Sequence, residues 1–402
     1  MPRFPRGCEL RLPSASTAPR PSAGRSAAPR NWRKPRSITA PPTREFRRRA
    51  STARTGKRIR CCRRKPLPKP FRHRTNRVSA FSVAGLVSSS PVGVLGWLPA
   101  ETRLTNFSVK HILSFDVEEY FQVSGFARRV PIDTWDSFES RVRRPTERIL
   151  ELLADHGVQA TFFVLGWIAR RHRELVRQIA EAGHEIGSHS DRHQLVYDQS
   201  PEEFREDLRR SKDVLEEITG KPVRSFRAPS FSITRRSLWA LDVLVESGFR
   251  YDASIFPIVH DRYGIPDAPL RIHRIERAAG TLIEVPGTVA RVCGMRLPVG
   301  GGGYLRLYPW FVTRRLLRRI ERRDRRPVVV YVHPWELDPN QPRLAAASRM
   351  SRFRHYVNLH TTEAKLKRLL TSFSWDRLDR CVEAWLADRS PHDVASAEYL
   401  PA

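Results

Sequence analysis

The sequence has few cysteines and methionines and no long uninterrupted apolar run. Only 5 cysteines and 3 methionines occur among the 402 residues. Cys8, Cys61 and Cys62 lie in the first 105 residues, which leaves Cys293 and Cys381 for the rest of the chain. Because there is no C-x-x-C pair and no disulfide framework, the thiols fit a reducing compartment. We expect a cytoplasmic location, with the periplasm as the alternative.

Acidic residues are almost absent from the first quarter of the chain. Residues 1–105 contain 25 Lys and Arg against 3 Asp and Glu, and they carry 22 of the 30 net positive charges. Their proline- and arginine-rich stretches show neither a helical nor a strand period and cannot bury enough apolar surface to fold. We therefore predict a disordered basic arm over 1–105, a folded domain over 108–375 and a C-terminal tail over 376–402.

Three interpretations of the basic arm remain open. It can be a tail that binds nucleic acid or another acidic polymer. It can also be a targeting segment that ends in the uncharged run 78–100, which Pro91 and five serines interrupt, so that we predict no transmembrane segment. The third interpretation, which we favour, is that translation begins near Leu104 or Val109, because no methionine lies between residues 1 and 295.

From about residue 108 the chain alternates between apolar runs of strand length and amphipathic segments of helix length. The apolar runs are 110–115, 158–166, 184–189, 221–230, 249–254, 281–288 and 326–336. The predicted helices are 146–157, 171–183, a long helix that begins at Pro201, 234–247, 309–323 and 362–373. Ser200 and Glu203 have the spacing of a capping box around that long helix. About seven strands alternating with helices predict an α/β fold, a distorted (β/α) barrel.

Polar residues lie at or just after the ends of the predicted strands. They are Asp116, Glu118, His189, His193, Arg227, Asp252 and His333. In a β/α barrel the carboxyl ends of the strands form one face, where active sites are built. We therefore expect these side chains to meet in a single site.

His189 and His193 predict a metal site. Side chains four residues apart in one turn lie about 5–6 Å from each other, which suits two nitrogen ligands on one cation. Such a pair also needs an anionic oxygen ligand and an open position. In an extended segment Asp116 and Glu118 point the same way while Val117 packs on the opposite face, so one acid can bind the metal and the other can act as a base.

Five short motifs, in order, resemble the polysaccharide deacetylases, the NodB-type carbohydrate esterases that remove N-acetyl groups from amino sugars. The motifs are SFDVEE (114–119), SHSDRH (188–193), RAPSF (227–231), YDASIFP (251–257) and VHPWE (332–336). The resemblance runs from about 108 to 375 and is closest to the branch found in bacterial exopolysaccharide and exosortase-associated gene clusters. It implies a NodB homology fold and a metal-dependent hydrolase of N-acetylated polysaccharide or oligosaccharide in exopolysaccharide biosynthesis.

The resemblance also implies roles for single residues. It makes Asp116 the general base, His333 the acid that protonates the leaving amine, and Arg227 the residue that orients the base. It makes His189 and His193 ligands of one divalent metal ion, for which we expect zinc, with cobalt or nickel as alternatives.

This chain departs from the family pattern at the second acid of the first motif, where it has Val117. Some relatives have an acid-x-acid sequence there, so we assign Glu118 as the third metal ligand, with Glu119 as the alternative. We further predict that Ser230, Phe231, Asp252 and Trp335 bind substrate, with two alternatives for Asp252, which are to orient an imidazole or to cap a turn. The glycine-rich stretch 298–309 lacks the lysine of a phosphate loop, and we predict that it is a mobile loop bordering the substrate groove.

Two further functions remain open as alternatives. The chain can be a non-catalytic carbohydrate-binding protein on the same fold, or it can bind nucleic acid through the basic arm. We expect no nucleic-acid partner, because residues 106–402 carry only 8 of the 30 net charges. The sequence does not specify an oligomeric state.

Overall fold

The computed structural model describes residues 110–344 and 348–389, together with residues 394, 396, 397 and 399. The basic arm predicted over 1–105 lies outside these residues. The strands are β1 His111–Val117, β2 Thr161–Val164, β3 Glu185–Ser188, β4 Ser225–Phe226, β5 Tyr251–Asp252, β6 His273–Arg277, β7 Gly280–Glu284, β8 Val289–Val292, β9 Met295–Pro298, β10 Val329–Val332 and β11 Trp375–Asp376. The α-helices are α1 Arg143–Asp155, α2 Gly166–Arg171, α3 Arg173–Glu181, α4 Pro201–Thr219, α5 Ala240–Glu246, α6 Gly302–Leu307, α7 Trp310–Arg319, α8 Arg349–Tyr356, α9 Thr362–Ser372 and α10 Leu378–Ala387.

Seven parallel strands form the wall of the fold. Their order is β10-β1-β2-β3-β4-β5-β7, and β6 adds antiparallel to β7 at one edge. Helices lie in the connections between these parallel strands, except between β5 and β7, which are joined by a segment that contains β6. The predicted α/β fold, a distorted (β/α) barrel of about seven strands, is confirmed.

The wall between β7 and β10 is completed by irregular backbone. The N–H of Val299 donates to the carbonyl of Thr288 (3.1 Å), and the N–H of Tyr331 on β10 donates to the carbonyl of Gly300 (2.8 Å). A Cβ atom on Gly300 would lie 2.3 Å from the carbonyl oxygen of Val329, and one on Gly301 would lie 2.2 Å from that of Tyr331. Glycine is needed here because the two backbones approach too closely for a side chain. These glycines of the stretch predicted as a mobile loop are therefore part of the buried barrel wall.

Strand β1 separates the apolar outer layer from a polar barrel interior. Leu113, Phe115 and Val117 belong to the large core beneath the surrounding helices. Ser114 and Asp116 alternate with them and are equally buried, at 0% and 2% exposure. Alternation along a strand therefore sends the polar side chains inward and the apolar ones outward, as the sequence predicts.

Residues after 373, for which the sequence predicts no regular element, form β11 and α10. The β11 strand pairs with the start of β1. Leu378, Cys381 and Val382 on α10 are buried in one cluster with Ile112 and Val329, the residues at the start of β1 and β10. Helix α10 thus covers the amino-terminal end of the barrel, opposite the predicted site.

The helices agree with the predicted pattern in position and differ in extent. Ser200 accepts a hydrogen bond from the N–H of Glu203 (3.2 Å), and Glu203 accepts one from the N–H of Ser200 (2.8 Å), so the capping box of α4 is confirmed. The helix predicted over 171–183 corresponds to α3, and the short helix α2 before it is not among the predicted elements. No helix among the described residues combines the length and apolar content needed to cross a membrane.

Candidate active site

Three side chains at the carboxyl ends of β1 and β3 form a potential metal site. Glu118 follows β1, and His189 and His193 follow β3. One ligand atom of each of the three residues lies within 4.8 Å of those of the other two, and all three side chains are buried. The sheet register explains this meeting, because β1 and β3 flank β2 and end at the same edge.

The hydrogen bonds of these three side chains leave atoms that can bind a cation available. His189 Nδ1 donates to the carbonyl of Arg227 (2.7 Å), which leaves Nε2 with its lone pair. Glu118 Oε1 accepts from Trp335 Nε1 (3.0 Å). Glu118 Oε2 lies 2.7 Å from His193 Nε2. Oε2 and His193 Nδ1 nevertheless have no hydrogen-bond partner among the described residues. Buried polar atoms without partners are costly, so the donor set fits a divalent cation.

The electrostatics of the cluster keep its members in the forms that bind metals. Burial alone would raise the pKa of Glu118, but His193, His333 and His189 lower it well below its ordinary value. Burial lowers the pKa of His189 to about 4, although Asp116 acts in the opposite direction. An ionised carboxylate and a neutral imidazole are the forms that bind a divalent cation.

Glu119, the alternative ligand, faces away from the histidines. Its carboxylate accepts hydrogen bonds from the N–H groups of Arg141 (3.0 Å) and Val142 (3.2 Å) and from the hydroxyl of Ser140. These groups precede α1, so the side chain of Glu119 holds the start of that helix. Of the two acids that the sequence leaves open, the structure brings only Glu118 to the potential metal site.

Asp116 lies beside this cluster and is held by Arg227. Arg227 Nη1 donates to Asp116 Oδ1 (2.6 Å) and to the hydroxyl of Ser114 (2.8 Å). The guanidinium is 1% exposed and stacks over the ring of Phe163, 4.3 Å from its centroid. Asp116 Oδ2 is 3.8 Å from Nε2 of His333 across the cavity. Arg227 therefore fixes one carboxylate oxygen of Asp116, and the other faces His333.

A buried ion pair behind His333 is a feature that sequence patterns did not identify. His333 Nδ1 donates to Glu336 Oε1 (2.7 Å), and Arg306 Nε donates to Glu336 Oε2 (2.5 Å). Arg306 also donates to the carbonyls of His355 and Val357, both at 2.8 Å. Glu336 lies three residues after His333 in VHPWE, which is a local signal, but Arg306 is brought to it only by the fold.

These neighbours change the charge of His333. Burial alone would lower its pKa, but Glu118, Glu336 and Asp116 raise the pKa to about 9. Burial opposes ionisation of Glu336, yet Arg306 and His333 lower the pKa of Glu336 to about 2. The three carboxylates therefore favour the protonated form of His333 at the wall of the cavity.

Most of the predicted substrate-binding residues line one cavity of about 430 Å³ with Asp116, Glu118, His189 and His193. Ser230, Phe231 and Trp335 are part of its wall. Ser230 and Phe231 adopt positive φ angles of 51° and 54°, which side chains other than glycine rarely adopt. Strained backbone of this kind concentrates at functional sites.

Asp252, the remaining predicted substrate-binding residue, lies outside the residues that line this cavity. It is fully buried and accepts a hydrogen bond from the hydroxyl of Ser254. Burial raises the pKa of Asp252 and of the neighbouring Glu284, and each carboxylate acts on the other. The structure places Asp252 in the barrel interior, where it interacts with Glu284 and Arg227.

Two family models match the chain. Residues 132–251, which include His189, His193 and Arg227, match the polysaccharide deacetylase family. Residues 253–383, which include Arg306, His333 and Glu336, match a domain of unknown function, DUF3473.

Curated relatives match a shorter part of the chain. A peptidoglycan-N-acetylglucosamine deacetylase of Bacillus cereus is 33% identical over 98 residues, which cover 24% of this chain and 36% of the relative. A chitooligosaccharide deacetylase of Azorhizobium caulinodans is 36% identical over 85 residues, which cover 21% of this chain and 40% of the relative. The chain thus spans at most two fifths of the length of these two relatives.

Solved structures were also compared with this fold. A polysaccharide deacetylase structure from Mycobacterium smegmatis matches 72% of this chain and 94% of its own, at 20% identity and a TM-score of 0.46. A family 4 carbohydrate esterase from Streptomyces lividans matches 64% and 88%, at 13% identity and a TM-score of 0.34. Residues 132–251 are thus similar to the polysaccharide deacetylase family, whose model they match, and to parts of two curated deacetylases.

Proposed function

We propose that this protein is a metal-dependent hydrolase that removes N-acetyl groups from amino sugars of a polysaccharide. The observation that carries the proposal is the meeting of two functional sets in one cavity. One set is the donor cluster of Glu118, His189 and His193. The other is Asp116 and His333, whose facing atoms lie 3.8 Å apart. A base and an acid beside a cation site are the groups that amide hydrolysis needs.

Glu118, His189 and His193 would hold the cation, for which we propose zinc, with cobalt or nickel as alternatives. Such a cation supplies Lewis acidity, which polarises the acetamide carbonyl and makes water a stronger acid. Trp335 holds one oxygen of Glu118 by its indole N–H, and the carbonyl of Arg227 fixes the tautomer of His189. These contacts orient the ligands before any cation binds.

Asp116 is the proposed general base. Its Oδ1 is fixed by Arg227, so Oδ2 is the oxygen that takes a proton from water as the water oxygen bonds to the acetyl carbon.

His333 is the proposed general acid. When the bond between the acetyl carbon and the nitrogen breaks, Nε2 gives its proton to the amine, and the products are acetate and a free amino sugar. Glu336 accepts the hydrogen bond of Nδ1, so the other nitrogen is directed into the cavity. Glu336 is therefore a positioning residue, and Arg306 holds it in place.

The substrate class follows from the family and from the relatives. Both relatives bear the names of deacetylases of N-acetylated glycans, peptidoglycan in one and chitooligosaccharide in the other. We propose an N-acetylated polysaccharide or oligosaccharide for this chain. A role in exopolysaccharide biosynthesis is proposed from the resemblance of its five motifs to that branch.

The test is acetate release from a panel of N-acetylated glycans by the full chain, with and without a chelator. We expect release that the chelator abolishes and that added zinc, cobalt or nickel restores. Asp116→Asn keeps the shape of the base and removes its proton affinity, so it should retain metal and lower turnover by about 10²–10⁴-fold.

Two results would contradict the proposal. One is acetate release that a chelator does not affect. The other is folded protein that takes up none of the three metals. Glycan binding without acetate release, with metal bound, would instead favour a non-catalytic carbohydrate-binding protein.

A further inference from the structure

Two arginines at the rim of the catalytic cavity have no role in the proposed reaction. Arg262 lies in the loop after β5, and Arg354 lies on α8. Both line the same cavity as Asp116, Glu118 and the metal-site histidines. Both side chains are exposed to solvent.

Neither guanidinium forms a hydrogen bond or an ion pair among the residues that the structure describes. Within this described part of the chain, the carboxylates that line the cavity are Asp116, paired with Arg227, and Glu118, which contacts His193. The rim of the cavity therefore carries positive charge that no lining acid neutralises.

The two arginines lie in one region of the cavity rim. A Cβ atom on Gly125 would lie 3.7 Å from the hydroxyl of Ser351 on α8 and 3.9 Å from Nη1 of Arg262. The side chain of Arg262 and the helix α8, which carries Arg354, therefore lie on either side of Gly125.

The pKa of His260 depends on both arginines. Burial lowers the pKa of His260 and Asp261 raises it, while Arg354 and Arg262 both lower it further. The carboxylate of Asp261 lies 3.0 Å from His260 Nδ1. Both guanidinium groups are thus near one imidazole at the cavity wall.

We infer that Arg262 and Arg354 bind an anionic group of the glycan, so that the substrate is an acidic N-acetylated glycan. The group is a carboxylate of an adjoining sugar or a phosphate attached to the acetamido sugar, because guanidinium groups bind both by charged hydrogen bonds. This inference rests on the proposed function. It adds specificity for acidic over neutral glycans, which neither the metal site nor the acid–base pair provides.

The test compares glycans that differ only in charge. The carboxylate probes are hyaluronan and heparosan tetrasaccharides, and their neutral controls are the same compounds with each carboxyl reduced to an alcohol. The phosphate probe is N-acetylglucosamine 1-phosphate, with N-acetylglucosamine as its control. Binding to the full chain is measured by calorimetry, and acetate release is measured on the metal-loaded protein.

We expect at least one acidic probe to bind roughly tenfold more tightly than its neutral control, since a hydrogen bond to a charged group can contribute that much. The class that shows the preference identifies carboxylate or phosphate as the bound group. The double variant Arg262→Gln/Arg354→Gln should remove the preference and raise KM with kcat unchanged. Arg352→Gln is the matched control, because Arg352 is exposed on the same helix and does not line the cavity.

The outcomes separate this inference from the proposed function. If every acidic probe binds like its neutral control, or if the double variant keeps the preference, the inference is overturned. If an acidic preference exists and depends on the two arginines while no glycan loses acetate, the anionic subsite stands and the proposed deacetylation fails.

Discussion

Two neighbouring glutamates after β1 differ entirely in what they contact. Glu118 points to His189 and His193, whereas Glu119 accepts hydrogen bonds from the residues before α1. In an extended chain, successive side chains point to opposite faces, so the sequence favours Glu118 once Asp116 is placed in the barrel interior. The alternation of side chains along a strand could assign this ligand. It could not show that Glu119 binds the backbone that precedes α1.

We expect Glu118→Gln to lose metal and Glu119→Gln to keep it. A neutral amide is a poor ligand, and even changes one shell further out lower metal affinity about 10–100-fold. Glu119→Gln should instead lower the free energy of unfolding by about 1 kcal/mol, because it weakens a helix start. Elemental analysis after gel filtration, with urea unfolding of both variants, measures the two effects. Metal loss in Glu119→Gln alone would reverse the assignment.

Glu336 can be tested through the pH dependence of turnover. Although burial of His333 opposes protonation, the carboxylates of Glu118, Glu336 and Asp116 raise its pKa, so Glu336→Gln should lower that pKa. An acid catalyst is lost as pH rises through its pKa. The basic limb of the kcat/KM profile should therefore move to lower pH in the variant.

A purely structural role for Glu336 predicts a different result. In that case activity would fall by the same factor at every pH, and the limb would not move. Urea unfolding of Glu336→Gln accompanies the profile, because the variant leaves the buried Arg306 with one fewer acidic partner.

At the scale of elements, α10 is absent from the predicted helices although its sequence has the apolar spacing of a helix. Leu378, Cys381, Val382 and Trp385 are buried and have the spacing of one helix face. The last predicted motif ends at residue 336, and the segment after 375 was assigned to a tail. The two-residue strands β4 and β5 are also shorter than their apolar runs suggest, because the chain leaves the sheet directly after Phe226 and Asp252.

Helix α10 should contribute strongly to the stability of the barrel. Leu378 is fully buried against the amino-terminal end of the sheet, so Leu378→Ala should lower the free energy of unfolding by about 2–5 kcal/mol. Ala384→Ser, on the exposed face of the same helix, should change it by no more than about 0.5 kcal/mol. Urea unfolding compares the two variants. Equal effects would mean that α10 contributes little to the barrel.

At the scale of the whole molecule, the described barrel has an apolar end and a polar end. Helix α10 and its apolar cluster cover one end, and the site occupies the other. Between them lie Asp252, Glu284 and Arg227, all buried. The alternation of strands and helices predicted this architecture and its polar face. The positions of Arg262, Arg306 and Arg354 at the cavity could not be predicted, because a loop and two helices that are distant in sequence bring them there.

The buried carboxyl pair makes the stability of the molecule depend on pH. Burial raises the pKa of both Asp252 and Glu284, so the folded chain binds more protons than the unfolded chain above about pH 4. The free energy of unfolding contributed by this pair therefore falls as pH rises through that window. Glu284→Gln removes the ionisable group. The stability of the variant relative to the unmodified protein should increase from pH 5 to pH 8, at about 1.4 kcal/mol for each unit of the raised pKa.

Urea unfolding of the metal-free protein at several pH values measures this difference. Comparison of the two proteins at each pH cancels the titration of all other groups. A constant difference across the range would mean that the pair carries no extra proton in the folded state.

Between Thr288 and β10 the barrel is closed by the irregular backbone of Val299 and Gly300 and not by a strand. The hydrogen-bonded ladder of seven strands ends at β7 and resumes at β10, and the backbone of Val299 and Gly300 bridges the interval. The β8–β9 hairpin projects from this interval without pairing to the main sheet. Its length can therefore change without shifting the register of a single wall strand. A longer or different β8–β9 hairpin would therefore leave the geometry of the side chains at the strand ends unchanged.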